Sequence, residues 1–200
     1  GKPFQSLSAM DAVLNIAGDT RPVLLLVDGH AYAYRAFYAI RSLNSPTGQP
    51  TNAIYGFVKM LQKVIAQSKA THVAVVWDGG LAAARQKALP GYKAQRPEMP
   101  ADLSSQLDQI VEFLQAYGIT SLCEDGVEAD DWIARLALDA QNAGCYVVIA
   151  SADKDFFQLV GDDITLLNPN DKEVRFWSAA DVVAKTGVKP NQIIDWLSLL

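Results

Sequence analysis

Three acidic residues stand together where an apolar helical pattern begins, in the segment VEADDWIARLALDA at 127–140: Glu128, Asp130 and Asp131. The first turn of a helix favours acids, because its free N–H groups and its dipole attract negative charge. Taken alone, the segment is typical of a helix start with capping acids. On such a helix Glu128 and Asp131 share one face, and Asp130, turned by about 100°, points inward.

Further carboxylates follow the strongest apolar runs of the sequence. Asp28 ends VLLLVD, Asp78 ends HVAVVWD and Asp153 ends YVVIASAD. Asp155 follows in SADKD. A lone Asp after a strand is most often a turn former or a cap. Because the carboxyl ends of parallel strands meet at one edge of a sheet, however, placement at three strand ends and a helix start favours one shared site.

Seven carboxylates at one edge predict a bound cation. Like charges at contact distance raise one another's pKa, so positive charge must lie among them if all are to stay ionised. Oxygen ligands with no His or Cys nearby select Mg²⁺ or Mn²⁺. Several carboxylates hold two such ions roughly 3.5–4 Å apart in sites that hydrolyse phosphodiesters. We therefore interpret these acids as metal ligands and catalytic residues: Asp28, Asp78, Glu128, Asp130, Asp131, Asp153 and Asp155.

The elements that must position these acids follow from short apolar runs that alternate with helical patterns. Three runs are too short and too β-branched for helices and lack polar alternation, so they predict strands buried on both faces of a parallel sheet. These strands lie at 23–28, 72–78 and 146–153, with weaker ones at 119–125 and 163–168. The helical patterns lie at 52–68, 100–118, 129–144 and 178–187. We expect an α/β fold with a mainly parallel central sheet and helices on both of its faces.

The composition is that of a globular chain. Its 200 residues, half of them hydrophobic, are enough for one domain with a sizeable core. Cys123 and Cys145 lack the spacing of a disulfide framework or a zinc site, so we expect buried, reduced thiols. No apolar run is long enough to span a bilayer, and the start has no signal-peptide layout. We expect a cytoplasmic protein in which residues 1–20 are an N-terminal extension of unknown role, with a short helix at MDAVLNIA.

The net charge of −5 opposes nucleic-acid binding, but the distribution of charge favours it. Between residues 29 and 97 there are nine basic residues and a single acid. A positive surface beside an acidic cluster is typical of a metal-dependent phosphate-backbone binder. In this block we expect Arg35 to contact phosphate. The segment 79–100 is rich in Pro, Gly and basic residues, so we expect a loop or broken helix in which Lys93 and Arg96 contact nucleic acid.

Seven motifs occur in order from about residue 23 to the end: LLVDGHAYAYRAFYAI, AIYGF, VAVVWD, GYKAQRP, GVEADD, ASADKDFFQLV and PNQIIDWLSLL. Together they resemble the 5′→3′ exonuclease domains at the N-terminus of bacterial DNA polymerase I, members of the flap-endonuclease family with a PIN-like fold.

The resemblance implies a Rossmann-like three-layer fold and a structure-specific nuclease. Such an enzyme hydrolyses DNA or RNA–DNA strands near a 5′ end, nick or flap junction, with Mg²⁺ or Mn²⁺ held by the seven carboxylates. The resemblance also implies that the basic segment 79–100 forms an arch over the active site, where Lys93 and Arg96 stabilise the charge of the reacting phosphate. The implied substrate contacts are Arg35, Arg85, Tyr92, Lys93 and Arg96.

Two features depart from the family pattern. An aromatic residue usually precedes the arginine of the arch entry, whereas Ala84 precedes Arg85 here. The pattern also continues after WLSLL into further ligands of a second metal ion and a helix–hairpin–helix, and Asp195 matches neither of those ligands. We expect residues 21–200 to be the N-terminal exonuclease domain alone. Either this domain is a fragment of a longer chain, which could include a polymerase domain, or the second metal site is lost. The first site should then bind Mn²⁺, and turnover should be weak.

Two other functions stay open at this point. One is a nucleic-acid-binding module with little turnover, which the missing ligands favour. The other is a PIN-type ribonuclease that acts on single-stranded RNA. Mg²⁺-dependent cleavage of a 5′-flap DNA separates the nuclease from the binding module, and a comparison of RNA with flap DNA separates the two nucleases.

The basic segment leads to a first prediction. Lys93→Ala and Arg96→Ala should each weaken DNA binding and lower its salt dependence by roughly one counterion, because each removes one phosphate contact. The measurement is DNA affinity by fluorescence anisotropy at several salt concentrations, with Lys185→Ala from the acidic half of the chain as the control. Unchanged affinity and salt slope in the double variant, with a native circular dichroism spectrum, would contradict a role in substrate binding.

Overall fold

The computed structural model describes residues 21–79 and 98–194, and a six-stranded sheet lies at its centre. The strands are β1 Val23–Asp28, β2 His72–Val76, β3 Thr120–Leu122, β4 Tyr146–Ala150, β5 Ile164–Leu167 and β6 Phe176–Trp177. The helices are α1 Gly29–Ala39, α2 Asn52–Ser68, α3 Ala101–Ala116, α4 Ala129–Asn142 and α5 Ala179–Thr186, with short 3₁₀ helices at Lys154–Leu159 and Pro190–Gln192. The expectations for the N-terminal extension and for most of the basic segment fall outside the described residues.

The strand order is β3-β2-β1-β4-β5-β6. The first five strands run parallel, and β6 pairs antiparallel with β5. The chain moves outward from β1 to β3 and then returns to β4 on the other side of β1, so the strand order reverses between β1 and β4. In open α/β sheets this point forms a crevice at the carboxyl edge, where separate loops diverge. The predicted α/β fold with a mainly parallel sheet is confirmed.

Two apolar layers cover the sheet, because successive side chains of a strand point to opposite faces. On β1, Leu24 and Leu26 belong to a core with α4 and α5, whereas Leu25 and Val27 belong to a core with α1, α2 and α3. Strands with apolar residues on both faces are what a parallel sheet between helical layers requires. No helix in the described part of the chain is long and apolar enough to cross a membrane.

Helix α1 is an element that the sequence patterns did not predict. It begins directly after β1, and its buried side is formed by Tyr32, Ala33 and Ala36. Gly29 opens the helix because a Cβ there would lie 2.6 Å from the Trp77 ring, so a larger residue has no space. The aromatic ring of Tyr32 is buried in the core.

A buried polar network joins the ends of three helices. Gln106 of α3 is 0% exposed, and its Oε1 accepts the N–H groups of Ala53 and Ile54 at 2.7 and 3.1 Å. Its Nε2 donates to Asn52 Oδ1 at 2.9 Å, and Asn52 Nδ2 donates to two carbonyl groups at the end of α1. Since Thr51 provides no side-chain cap, Gln106 caps α2 from a neighbouring helix. The network therefore fixes α1, α2 and α3 relative to one another.

This network gives a second prediction. Gln106→Ala should lower the free energy of unfolding by about 3 kcal/mol, because it leaves several buried backbone and amide groups without partners. Urea unfolding measures the change, and Gln115→Ala, at an exposed position of the same helix, should stay within about 0.5 kcal/mol of wild type. Equal stability of the two variants would mean that the network does not hold the helices.

Candidate metal centre

The sheet face that packs against α4 is apolar along the strands and becomes acidic at its carboxyl edge. Side chains two residues apart on a strand point to the same face of the sheet. Asp28 is therefore on the same face of β1 as Leu24 and Leu26, whose side chains belong to the core on the α4 face. Asp78 lies two residues beyond the end of β2, and Asp153 lies three residues beyond the end of β4. These two strands are thus shorter than the sequence patterns predicted, and the acids sit in the loops that follow them.

Asp28 is the most deeply buried of the acids, at 9% exposure. It caps α1, since its Oδ1 accepts the N–H of Ala31 at 3.2 Å. Its Oδ2 accepts the hydroxyl proton of Ser151 at 3.2 Å. Burial raises the pKa of Asp28, the charges of Asp78 and Asp153 raise it further, and the two hydrogen bonds oppose the rise.

Asp78 joins the end of β2 to the start of α4. Its Oδ1 accepts the N–H of Ala129, the first residue of the helix, at 2.8 Å, whereas Glu128 makes no side-chain cap. His30 Nδ1 accepts the backbone N–H of Asp78 at 3.3 Å and lies 3.8 Å from Asp78 Oδ2. The longer contact is an ion pair only when the His30 ring is protonated.

Asp153 organises the loop after β4. It caps the 3₁₀ helix, since its Oδ1 accepts the N–H of Asp155 at 2.9 Å, and its own N–H donates to Ser151 Oγ at 3.2 Å. Burial, followed by the charge of Asp153, raises the pKa of Asp155. The two acids of SADKD therefore lie side by side at the carboxyl edge.

Asp130 connects the acids electrostatically. It lies half-buried in the first turn of α4, with its carboxyl group hydrogen-bonded to that of Asp153. Burial comes first among the causes that raise the pKa of Asp130 to about 7, followed by this hydrogen bond and the charges of Asp28, Asp153 and Asp78. The inward placement of Asp130 agrees with the helical spacing. The four carboxylates form one coupled acidic cluster: Asp28, Asp78, Asp130 and Asp153.

The other two acids of EADD lie beside this cluster at the start of α4. Glu128 is half-buried and precedes the helix with extended backbone angles of −77° and 143°. The prediction that Glu128 and Asp131 share a helix face is therefore wrong, because Glu128 is not in the helix. Asp131 is exposed on the first turn.

The acidic cluster has the charge and the donor atoms that a hard divalent cation requires, but it is not a closed cage. Within residues 21–79 and 98–194, no group of three or more His, Cys, Asp or Glu side chains is arranged to hold a metal ion. Several of the carboxylate oxygens accept backbone N–H groups. Burial and the charges of the neighbouring acids raise the pKa of Asp130, so a positive charge beside the cluster would stabilise its ionised form. The residues therefore fit Mg²⁺ or Mn²⁺ by ligand type.

Three residues contact this site that the sequence patterns did not indicate: Cys123, His30 and Ser151. The expectation that no His or Cys lies nearby is wrong, since the Cys123 thiol donates to the Asp78 carbonyl at 3.3 Å and His30 accepts from the Asp78 N–H. Both contact backbone groups of Asp78. Ser151 was not recognised either, although its hydroxyl touches two of the loops that carry acids.

Among the predicted substrate contacts, Arg35 lies in the described part of the chain. Arg35 is exposed on α1, as a phosphate contact requires. The others, together with Ala84 and Asp195, fall outside the described residues: Arg85, Tyr92, Lys93 and Arg96.

The strand order and the acidic carboxyl edge define the class of PIN-like α/β domains, and solved structures share this fold. The T5 D15 protein of bacteriophage T5, co-crystallised with metal ions, superposes with a TM-score of 0.63 at 21% identity, over 86% of this chain and 64% of that one. The catalytic core of Rad2 in complex with DNA superposes with a TM-score of 0.52 at 21% identity, over 87% of this chain and 54% of that one.

The chain belongs to the family described as 5′-3′ exonuclease, N-terminal resolvase-like domain, whose model matches residues 23–187. It is 41% identical to DNA polymerase I of Mycobacterium leprae over 184 residues, which are 90% of this chain and 20% of that protein. It is 40% identical to the 5′-3′ exonuclease of Aquifex aeolicus over 177 residues, which are 88% of this chain and 61% of that protein. The chain thus spans about a fifth of the polymerase and less than two thirds of the exonuclease.

The electrostatics of the cluster give a third prediction. The pKa of Asp130 is about 7 in the folded chain and about 3.9 in an unfolded one, so the folded state binds more protons between these values. The contribution of the protonated Asp130 carboxyl group to the free energy of unfolding is therefore fully present below pH 4 and is lost as the pH rises through 7. Without divalent cations, Asp130→Asn should remove this loss and be more stable than wild type at pH 8, by about 1 kcal/mol once screening of the partly exposed carboxyl group by solvent is allowed for.

Chemical denaturation in EDTA at pH 5 and pH 8 measures this difference. Asp139→Asn, at an exposed position near the other end of α4, is the matched control and should follow wild type at both pH values. The same pH dependence in wild type and Asp130→Asn would contradict the coupling of the carboxylates.

Proposed function

We propose that this chain is the catalytic domain of a metal-dependent 5′-nuclease, a 5′-3′ exonuclease or flap endonuclease that hydrolyses DNA phosphodiester bonds. The observation that carries the proposal is the coupled acidic cluster at the reversal point of the sheet. Three of its members cap helix starts and yet lie close enough to Asp130 to raise its pKa. Family membership and the solved 5′-nuclease structures with the same fold support the same activity.

A Mg²⁺ or Mn²⁺ ion of the first site would be held mainly by the acidic cluster, with Glu128, Asp131 and Asp155 at its border. Divalent cations of this kind supply a nucleophile from water at neutral pH and stabilise the charge that develops on the phosphate. One of the related T5 structures was co-crystallised with metal ions, and another contains zinc. The all-oxygen donor set of this chain favours Mg²⁺ or Mn²⁺ over zinc.

The side chains of the chain itself have separate tasks in this proposal. Asp28 and Asp78 are fixed by backbone N–H groups at the starts of α1 and α4, so their remaining lone pairs are presented in fixed directions. Asp130 holds a proton near neutral pH and releases it when positive charge enters the cluster. Arg35, Arg85 and Tyr92 bind the DNA strand, and Lys93 and Arg96 stabilise the reacting phosphate.

The substrates we propose are 5′-flap, nicked and 5′-ended duplex DNA, and RNA–DNA hybrids. Support comes from relatives named 5′-3′ exonuclease and from neighbours crystallised with DNA. Many of the curated relatives are DNA polymerases I, so we further propose that the exonuclease domain works with a polymerase domain, in the cytoplasm.

The fourth prediction tests the activity and the metal site together. Asp153→Asn keeps the oxygen that accepts the Asp155 N–H but removes one negative charge. It should weaken Mn²⁺ binding and Mg²⁺-dependent cleavage of a 5′-flap DNA by more than the roughly 10–100-fold that substitutions around a metal site usually cost. Isothermal titration calorimetry and a labelled-flap assay measure the two effects, and Asp139→Asn on the far part of α4 should change neither.

The outcomes separate the alternatives. Mn²⁺ binding and DNA binding without cleavage would indicate a nucleic-acid-binding module, and preferential cleavage of single-stranded RNA would indicate a PIN-type ribonuclease. If wild type binds no divalent ion, or if Asp153→Asn binds it equally well, the metal site is not where we place it.

A further inference from the structure

Ser151 lies buried at the carboxyl end of β4, between two of the proposed metal ligands. It is 0% exposed. The register of the sheet pairs Val27 of β1 with Ala150 of β4, so the next residues lie side by side: Asp28, the last residue of β1, and Ser151, which directly follows β4. The serine therefore stands at the point where the strand order reverses.

Both hydrogen-bonding functions of the Ser151 hydroxyl are used. Oγ donates to Asp28 Oδ2 at 3.2 Å and accepts the backbone N–H of Asp153 at 3.2 Å. An ionised carboxylate only accepts and a backbone N–H only donates, so the direction of both bonds is fixed. The single hydroxyl thus connects an acid that comes from β1 with the loop that carries another acid after β4.

We propose that Ser151 is a positioning residue that sets the spacing between the carboxylates of Asp28 and Asp153 for a divalent cation. This inference rests on the proposed function. The two acids belong to separate pieces of chain and repel each other, so their separation needs a fixed link. Groups that orient metal ligands through hydrogen bonds contribute strongly to metal affinity.

A purely structural role would be different in a measurable way. A buried serine that only makes hydrogen bonds to neighbouring polar groups stabilises the fold. Its removal lowers the Tm without a specific effect on metal binding. The chain offers a matched control in Ser121 on β3, which is 3% exposed and accepts a hydrogen bond from Trp77 Nε1 at 2.8 Å. Ser121 is another buried serine, on the edge strand of the sheet, and its hydroxyl oxygen accepts a hydrogen bond from an indole.

The experiment is Mn²⁺ titration by calorimetry, together with thermal unfolding in EDTA, on the full 200-residue chain. Ser151→Ala should weaken Mn²⁺ binding by about tenfold or more. Ser151→Thr, which keeps the hydroxyl, should bind within about threefold of wild type. Ser121→Ala should lower the Tm as Ser151→Ala does but bind Mn²⁺ like wild type.

The proposal is overturned if folded Ser151→Ala binds Mn²⁺ like wild type, if Ser151→Thr binds as weakly as Ser151→Ala, or if Ser121→Ala weakens binding equally. If Ser151→Ala does not fold, Ser151→Cys, which nearly keeps the volume and weakens the hydrogen bonds, takes its place. Weaker Mn²⁺ binding by Ser151→Cys would then support the proposal, and binding like that of wild type would overturn it. Absence of Mn²⁺ binding in wild type itself would overturn the proposed function, and the positioning role with it. Mn²⁺ binding by wild type that Ser151→Ala leaves unchanged would overturn the positioning role alone.

Discussion

Repulsion among carboxylates at one edge of a parallel sheet is the constraint on which the rest of this structure depends. A fold that brings Asp28, Asp78, Asp130 and Asp153 together must hold them against their own charge. Burial first, and then the charges of the neighbouring acids, raise the pKa values of Asp28 and Asp130. The free energy that stabilises this arrangement comes from the two apolar cores, since both faces of the sheet are buried under helices. The apolar layers and the buried polar network keep the strand ends in place while the edge itself stays electrostatically unfavourable.

The capping role and the ligand role of these acids prove to be compatible. Asp28 accepts an N–H at the start of α1, Asp78 at the start of α4 and Asp153 at the start of the 3₁₀ helix. Three helix starts therefore face one cluster, and their partial positive charges offset part of the repulsion. A carboxylate has enough lone pairs to accept a backbone N–H and still bind a cation. From the sequence these two roles looked like alternatives, but the capping hydrogen bonds leave carboxylate lone pairs for the metal ion that we propose.

Much of the fold could be predicted because its signals are local. The buried strands β1, β2 and β4 and helices such as α2 and α4 follow from hydrophobic pattern and length. Helix α1 could not, since its many aromatic residues leave no clear apolar stripe, and β6 has only two residues. In the site, the acids could be found because charged residues after buried strands are conspicuous. Ser151 and His30 could not, because their roles depend on contacts with residues more than 40 positions away.

The central pairing of β1 with β4 also affects how the molecule is made. Asp28 and Ser151 touch although 123 positions separate them in the chain. A ribosome therefore releases Asp28 and Asp78 long before their partners after β4 exist, and local contacts cannot assemble the cluster early. The nascent chain carries scattered acids until β4 inserts beside β1. In this order of synthesis, the acidic cluster forms only in a polypeptide whose sheet is nearly complete.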